Sequence, residues 1–93
     1  MYDPPQGIPR CDIPAYLHWK DNLKLIGPNG DNFKRITEMM GLKYLWMDMN
    51  KNVIEIYGTP TKLHKAQKYL YKYMNTFFDK HCKIQHSHKK QKV

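Results

Sequence analysis

No apolar run in the chain approaches the ~20 residues needed to cross a bilayer as a helix. The N-terminus also lacks the charged-then-apolar pattern of a secretory signal. Cysteine is scarce: only Cys11 and Cys82 are present, and nothing points to an oxidising compartment. Both read as free thiols of an intracellular protein, cytoplasmic or nuclear, with a virion as a further location compatible with them. Serine is nearly absent, since Ser87 stands alone in the tail, and no Cys/His pair shares a structured element with an orienting carboxylate. No enzyme is expected. His81, Cys82, His86 and His88 have the spacing C-x3-H-x-H without a second cysteine pair, so they read as fortuitous, with no metal and no other cofactor expected. His18 and His64 have no visible partners and read as structural.

Acidic residues are outnumbered, 8 against 16 Lys and Arg, for a net charge of +8. The excess is not spread evenly. From Cys11 to Gly58, six basic residues meet six acidic ones, whereas after Gly58 nine lysines face only Asp79. Non-specific attraction to nucleic acid or to an anionic surface therefore resides in the last third of the chain. What is present in quantity is apolar and aromatic residues, 41% and 13% of the 93 residues, enough for one small domain whose core needs no metal or disulfide.

The first fourteen residues hold Pro4, Pro5, Pro9 and Pro14, which excludes helix and favours extended geometry. A loosely packed or disordered arm is the expectation. The alternative is a partner-docking strap using Tyr2, Ile8 and Ile13. Residues 13–18 suit a short first strand at a sheet edge, where proline is tolerated.

The pattern then becomes dense. Residues 19–26 suit a short helix with Trp19, Leu23 and Ile26 inward. Gly27-Pro28-Asn29-Gly30 interrupts it, and a second helical period follows at once, with Phe33, Ile36 and Met40 on one face and Lys34, Arg35 and Glu38 off it. Gly41 ends that helix. Residues 43–49 read as a strand with Tyr44, Trp46 and Asp48 on one face and Leu45, Met47 and Met49 on the other, so both faces must be covered. One cover is the helical layer; the other is a ligand base, a partner or the N-terminal arm. After the polar turn Asn50-Lys51-Asn52, residues 53–57 return as a β-branched strand, making a hairpin. Thr59-Pro60-Thr61 opens a long helix along Leu63, Ala66, Leu70, Tyr73, Phe77 and His81, with Lys62, Lys65, Lys68 and Lys72 outside the stripe.

Leu25-Ile26-Gly27-x-x-Gly30, Phe33-x-x-Ile36, Gly41 and Ile54-x-Ile56-x-Gly58, followed by Ala66 in the final helix, resemble a type I KH domain over residues 13–80. In finer spelling, residues 18–22, Tyr44-x-Trp46 and residues 54–58 look most like small KH proteins encoded by large DNA viruses. The resemblance implies an α+β fold of order β-α-α-β-β-α, a three-stranded antiparallel sheet packed against three helices. It would be flanked by a Pro-rich arm at 1–12 and a basic His/Lys-rich tail at 81–93. It also implies single-stranded RNA or DNA as partner, about four nucleotides held against the Gly-x-x-Gly loop. Carried over by position, the loop is Gly27, Pro28, Asn29 and Gly30. The floor is Ile26 and Phe33 with Leu45 and Met47, or with Tyr44 and Trp46 if the register shifts by one. The nearby cations are Lys24, Lys34 and Lys51.

Two features depart from the family pattern. The middle loop positions carry no cation, and Asp31 follows directly, where it supports the helix but repels phosphate. A KH scaffold turned to protein interaction or to a structural role, for instance in a virus particle, is the competing expectation. Its partner would meet the N-terminal arm, the outer strand face or the last helix.

Overall fold

In the computed structural model, which describes residues 2–81, the element order is β1 (Arg10–Pro14), α1 (Trp19–Ile26), a 3-10 turn (Pro28–Gly30), α2 (Asp31–Met39), β2 (Tyr44–Asp48), β3 (Val53–Tyr57) and α3 (Pro60–His81). The strands form one antiparallel sheet of order β1-β3-β2, with the late strand in the middle. The expected α+β layout, a three-stranded sheet packed against three helices, is the one observed.

Alternation along the strands separates two faces. Ile13, Leu45, Met47, Ile54 and Ile56 point to the helices and are buried with Leu25, Phe33, Ile36, Ala66, Leu70 and Met74. The opposite face carries Arg10 and Asp12 of β1, Glu55 and Tyr57 of β3, and Tyr44 and Trp46 of β2, as the pairings Arg10↔Tyr57, Asp12↔Glu55 and Trp46↔Glu55 require.

The first strand lies earlier than residues 13–18. Burial does alternate through Ile13, Ala15 and Leu17, which is the strand signal in the sequence. The ladder nevertheless stops at Pro14, which has no N–H to continue it. After one further bond, from Ala15 N–H to the Asn52 carbonyl at 2.8 Å, the chain turns into α1.

α1 is also rotated from the expected facing. It buries Asn22 and Leu25, while Trp19 and Leu23 remain 54% and 50% exposed. Asn22, fully buried, donates from Nδ2 to Oδ1 of Asn52 at 2.6 Å and so ties α1 to the turn between β2 and β3. That turn is closed by Asp48 Oδ1, which accepts from the N–H groups of Asn50 and Lys51 at 3.0 and 3.1 Å. His18 caps α1, its Nδ1 accepting from Lys20 N–H at 3.2 Å.

The N-terminal segment is a docked strap rather than a loose arm. Tyr2 lies over Trp46 with ring centroids 4.9 Å apart, and its hydroxyl donates to Glu55 at 2.6 Å. Asp3 N–H donates to the Tyr44 hydroxyl at 2.7 Å. The strap therefore covers the outer face of the sheet, the place where a ligand or partner was the alternative. Cys11 is a half-buried free thiol. Cys82, His86, His88 and the rest of the basic tail lie outside the described residues. Among the described residues no helix is long and apolar enough to cross a membrane.

Candidate nucleic-acid interface

Between α1 and α2 the chain reverses within four residues, three of them at positive φ. Gly27 (φ +85) leaves α1, its N–H still bonded to the Leu23 carbonyl at 3.0 Å; Asn29 (φ 56) and Gly30 (φ 74) complete the turn. The two glycines are bare for different reasons. A Cβ on Gly27 would stand 2.8 Å from the side chain and 2.9 Å from the backbone nitrogen of Asn32, whereas one on Gly30 would meet nothing within 4 Å. Asn32 donates to the Lys24 carbonyl at 3.3 Å and so locks the start of α2 against the end of α1. On the other side, Tyr73 of α3 donates to the Leu25 carbonyl at 3.0 Å, satisfying a helix-end acceptor. The loop is held from both flanks.

Its donors are largely spent. Gly30 N–H bonds the Gly27 carbonyl at 3.0 Å, Asp31 N–H bonds the Pro28 carbonyl, and Pro28 has none to offer. Asp31 is exposed at the first residue of α2. Charge and backbone donors at the loop therefore do less for a phosphate than a helix N-terminus usually can.

Beside the loop lies a groove of about 570 Å³, within the range of roughly 300–1,000 Å³ common to ligand sites. Ile26, Asn29, Gly30, Phe33 and Lys34 form one wall, and β2 forms the other. β2 is an edge strand, paired only with β3, so both of its faces meet the groove. Leu45 and Met47 reach it from the core side, Tyr44 and Trp46 from the outer side, and the two registers weighed in the sequence are both represented. Phe33, Leu45 and Met47 are buried, so the floor is the margin of the hydrophobic core itself.

Of the residues assigned from the sequence, Ile26, Asn29, Gly30, Phe33, Lys34, Leu45 and Met47 come together here. Gly27 and Pro28 belong to the loop but do not line the groove, and Lys24 and Lys51 are also outside its lining. Lys51 instead sits in the β2–β3 turn, where its charge helps Arg10 hold Asp12 below the usual carboxylate range. The sequence reading missed Thr37, Glu38, Lys43 and Met49. A signal existed for each: Thr37 and Glu38 follow Phe33 and Lys34 by one helical turn, and Lys43 and Met49 bracket β2. Lys34 and Lys43 give the groove two cations against the single carboxylate of Glu38.

A helix-loop-helix with a Gly-x-x-Gly connection, facing the free edge of a three-stranded antiparallel sheet, defines a distinct class of small α+β module. Residues 23–72 match the family model of the KH domain, over half the chain, and the chain belongs to that family with the type I order of elements. No curated protein and no solved structure matches it. KH domains are nucleic-acid-binding modules and not enzymes, and nucleic acid is the partner class that this membership implies.

Proposed function

We propose that the groove binds a short single-stranded segment, with RNA as the first candidate, about four nucleotides long. The observation that carries this reading is the open groove between the loop and β2, apolar at its floor and bordered by Lys34 and Lys43. Bases lie on Ile26, Phe33, Leu45 and Met47, with the Tyr44 and Trp46 rings at the outer margin. The sugar-phosphate chain passes Gly30, where a side chain would otherwise stand in the way. Because most of the loop's N–H groups are already bonded or absent, phosphate recognition falls mainly to the lysines of the walls, and affinity is modest and salt-dependent.

A salt titration against oligo-U and oligo-dT tests this, using the full chain and a variant lacking residues 83–93. Two to three phosphate contacts on a single strand give a slope of log affinity on log salt of about −1.4 to −2.1. Binding at low salt that survives the truncation supports the groove. Absence of binding at low salt, or binding abolished by the truncation, overturns it. The second of these outcomes, or an oligonucleotide-free complex with a protein partner, fits the competing use of the fold as an interaction or structural component. The missing loop cation and the spent loop donors favour that use.

A further inference from the structure

α1 turns Trp19 and Leu23 to solvent while burying Asn22 beside Leu25. At about 100° and 1.5 Å per residue, Trp19 and Ile26 lie roughly 20° apart around the helix and about 10 Å apart along it. Leu23 stands one turn from each, roughly 40° to the solvent side. Ile26 lines the groove, so the exposed ridge continues the groove's own wall. The far wall ends at Met49, also partly exposed, and the Asn22–Asn52 bond sets the turn after Met49 beside the middle of α1.

The flank of the ridge is cationic. Lys20 and Lys24, both exposed and one turn apart, follow next around the helix, and Lys20 Nζ lies 5.7 Å from the Trp19 ring centroid. Asp21 falls on the far side of these lysines, away from the ridge. An indole with the Lys20 ammonium beside it and Lys24 one turn further along, next to a single-strand groove, suits a base and its phosphates in both shape and charge. The 10 Å from Ile26 to Trp19 is about three base steps at the stacked spacing of 3.4 Å, and fewer for a stretched strand.

We propose that the bound strand continues past the groove along α1, with one further base stacked on Trp19 and its phosphates against Lys20 and Lys24. This rests on the groove reading above and lengthens its footprint. Stacking on an indole accepts any base, so the extension adds affinity without adding sequence preference.

The test is anisotropy binding of labelled oligo-U tetramers, hexamers and octamers to the full chain, to Trp19→Ala and to Trp19→Phe. An octamer offers a four-nucleotide site about five registers, so up to about fivefold tighter binding than the tetramer is expected from counting alone. The wild-type chain should exceed that factor by a further fivefold or more. Trp19→Ala should bind the tetramer within twofold of wild type yet fall back to the counting factor, and Trp19→Phe should retain part of the gain. Equal length dependence in wild type and Trp19→Ala overturns the extension and leaves the groove standing. No binding at any length overturns both. If Trp19→Ala instead lowers the sedimentation mass of the free protein while the length dependence is unchanged, the ridge joins copies of the chain and the proposal is wrong.

Discussion

The hydroxyl of Tyr2 donates to a carboxylate oxygen of Glu55 at 2.6 Å across a sequence separation of 53 residues. Glu55 is on the central strand and only 6% exposed, an expensive place for a charge unless its oxygens are bonded. Tyr57 donates to the same oxygen at 2.9 Å, and an Arg10 guanidinium nitrogen lies at 3.7 Å. The second residue of the chain thus completes the solvation of a carboxylate on the middle strand. Through its ring it also packs on Trp46, a residue of the groove.

Tyr2→Phe keeps the ring over Trp46 and removes only the donor. With Tyr57 and Arg10 still beside Glu55, the expected outcome is a lower urea midpoint with the fold retained. An unchanged midpoint would mean that the strap is not docked in solution.

Alkaline titration reports the same contacts. The hydrogen bond to Glu55, followed by the adjacent Tyr57 hydroxyl, raises the Tyr2 phenol well above its ordinary value of 10.0, and burial raises Tyr16 and Tyr73. In each case folding favours the neutral phenol. The stabilisation is complete below pH 10 and is lost as pH climbs from there through each raised value. Phenolate absorbance should therefore show late-titrating tyrosines, one fewer in Tyr2→Phe. Asp12 behaves oppositely: Arg10 holds it below 3.8, so its contribution is present above that value and disappears as acid is added.

Gly27→Ala and Gly30→Ala should separate the two glycines. Both place a side chain at positive φ, but Gly30 (φ 74, ψ 17) is in the left-handed region, a strain of about 1–2 kcal/mol, whereas Gly27 (φ 85, ψ 164) has a backbone that essentially only glycine adopts. Only at position 27 does the new methyl also meet the backbone of Asn32. Gly27→Ala should cost at least about 1 kcal/mol more than Gly30→Ala in chemical unfolding. Equal losses would place the close approach elsewhere.

Asn22 is the polar group on which the placing of α1 depends. Its Nδ2 is bonded to Asn52 and its Oδ1 has no partner among the described residues. Asn22→Asp replaces the donor with a buried carboxylate oxygen facing Asn52 Oδ1, and should cost about 3 kcal/mol or more at neutral pH. Asn22→Leu removes the unbonded oxygen but leaves Asn52 Oδ1 without its donor, and should cost about 1–3 kcal/mol, less than Asn22→Asp. Thermal unfolding of the pair distinguishes them.

The sequence carried the hairpin, the loop, α2 and the start of α3 because each has a local cause: Gly27, Gly30 and Gly41 as breaks, Phe33 and Ile36 one turn apart, Pro60 at a helix start. The facing of α1 was not legible. In eight residues the stripe Trp19, Leu23, Ile26 outweighs Asn22 and Leu25, and only the tertiary partner Asn52 makes the weaker stripe the buried one. Met74 is fully buried, whereas its neighbour Tyr73, which fits the apolar stripe of the sequence, reaches only the core margin through its bond to the Leu25 carbonyl. Docking of residues 2–9 depends on Glu55 and Trp46, more than forty positions away, so no local pattern marks it.

The groove is tested most directly by amide-shift mapping of the isotope-labelled chain as an oligo-U tetramer is added. Gly27, Asn29, Gly30, Phe33, Lys34 and residues 44–47 should shift together and saturate with one affinity. Shifts confined to the lysines of α3 and to residues 83–93, with the loop and β2 silent, would contradict it.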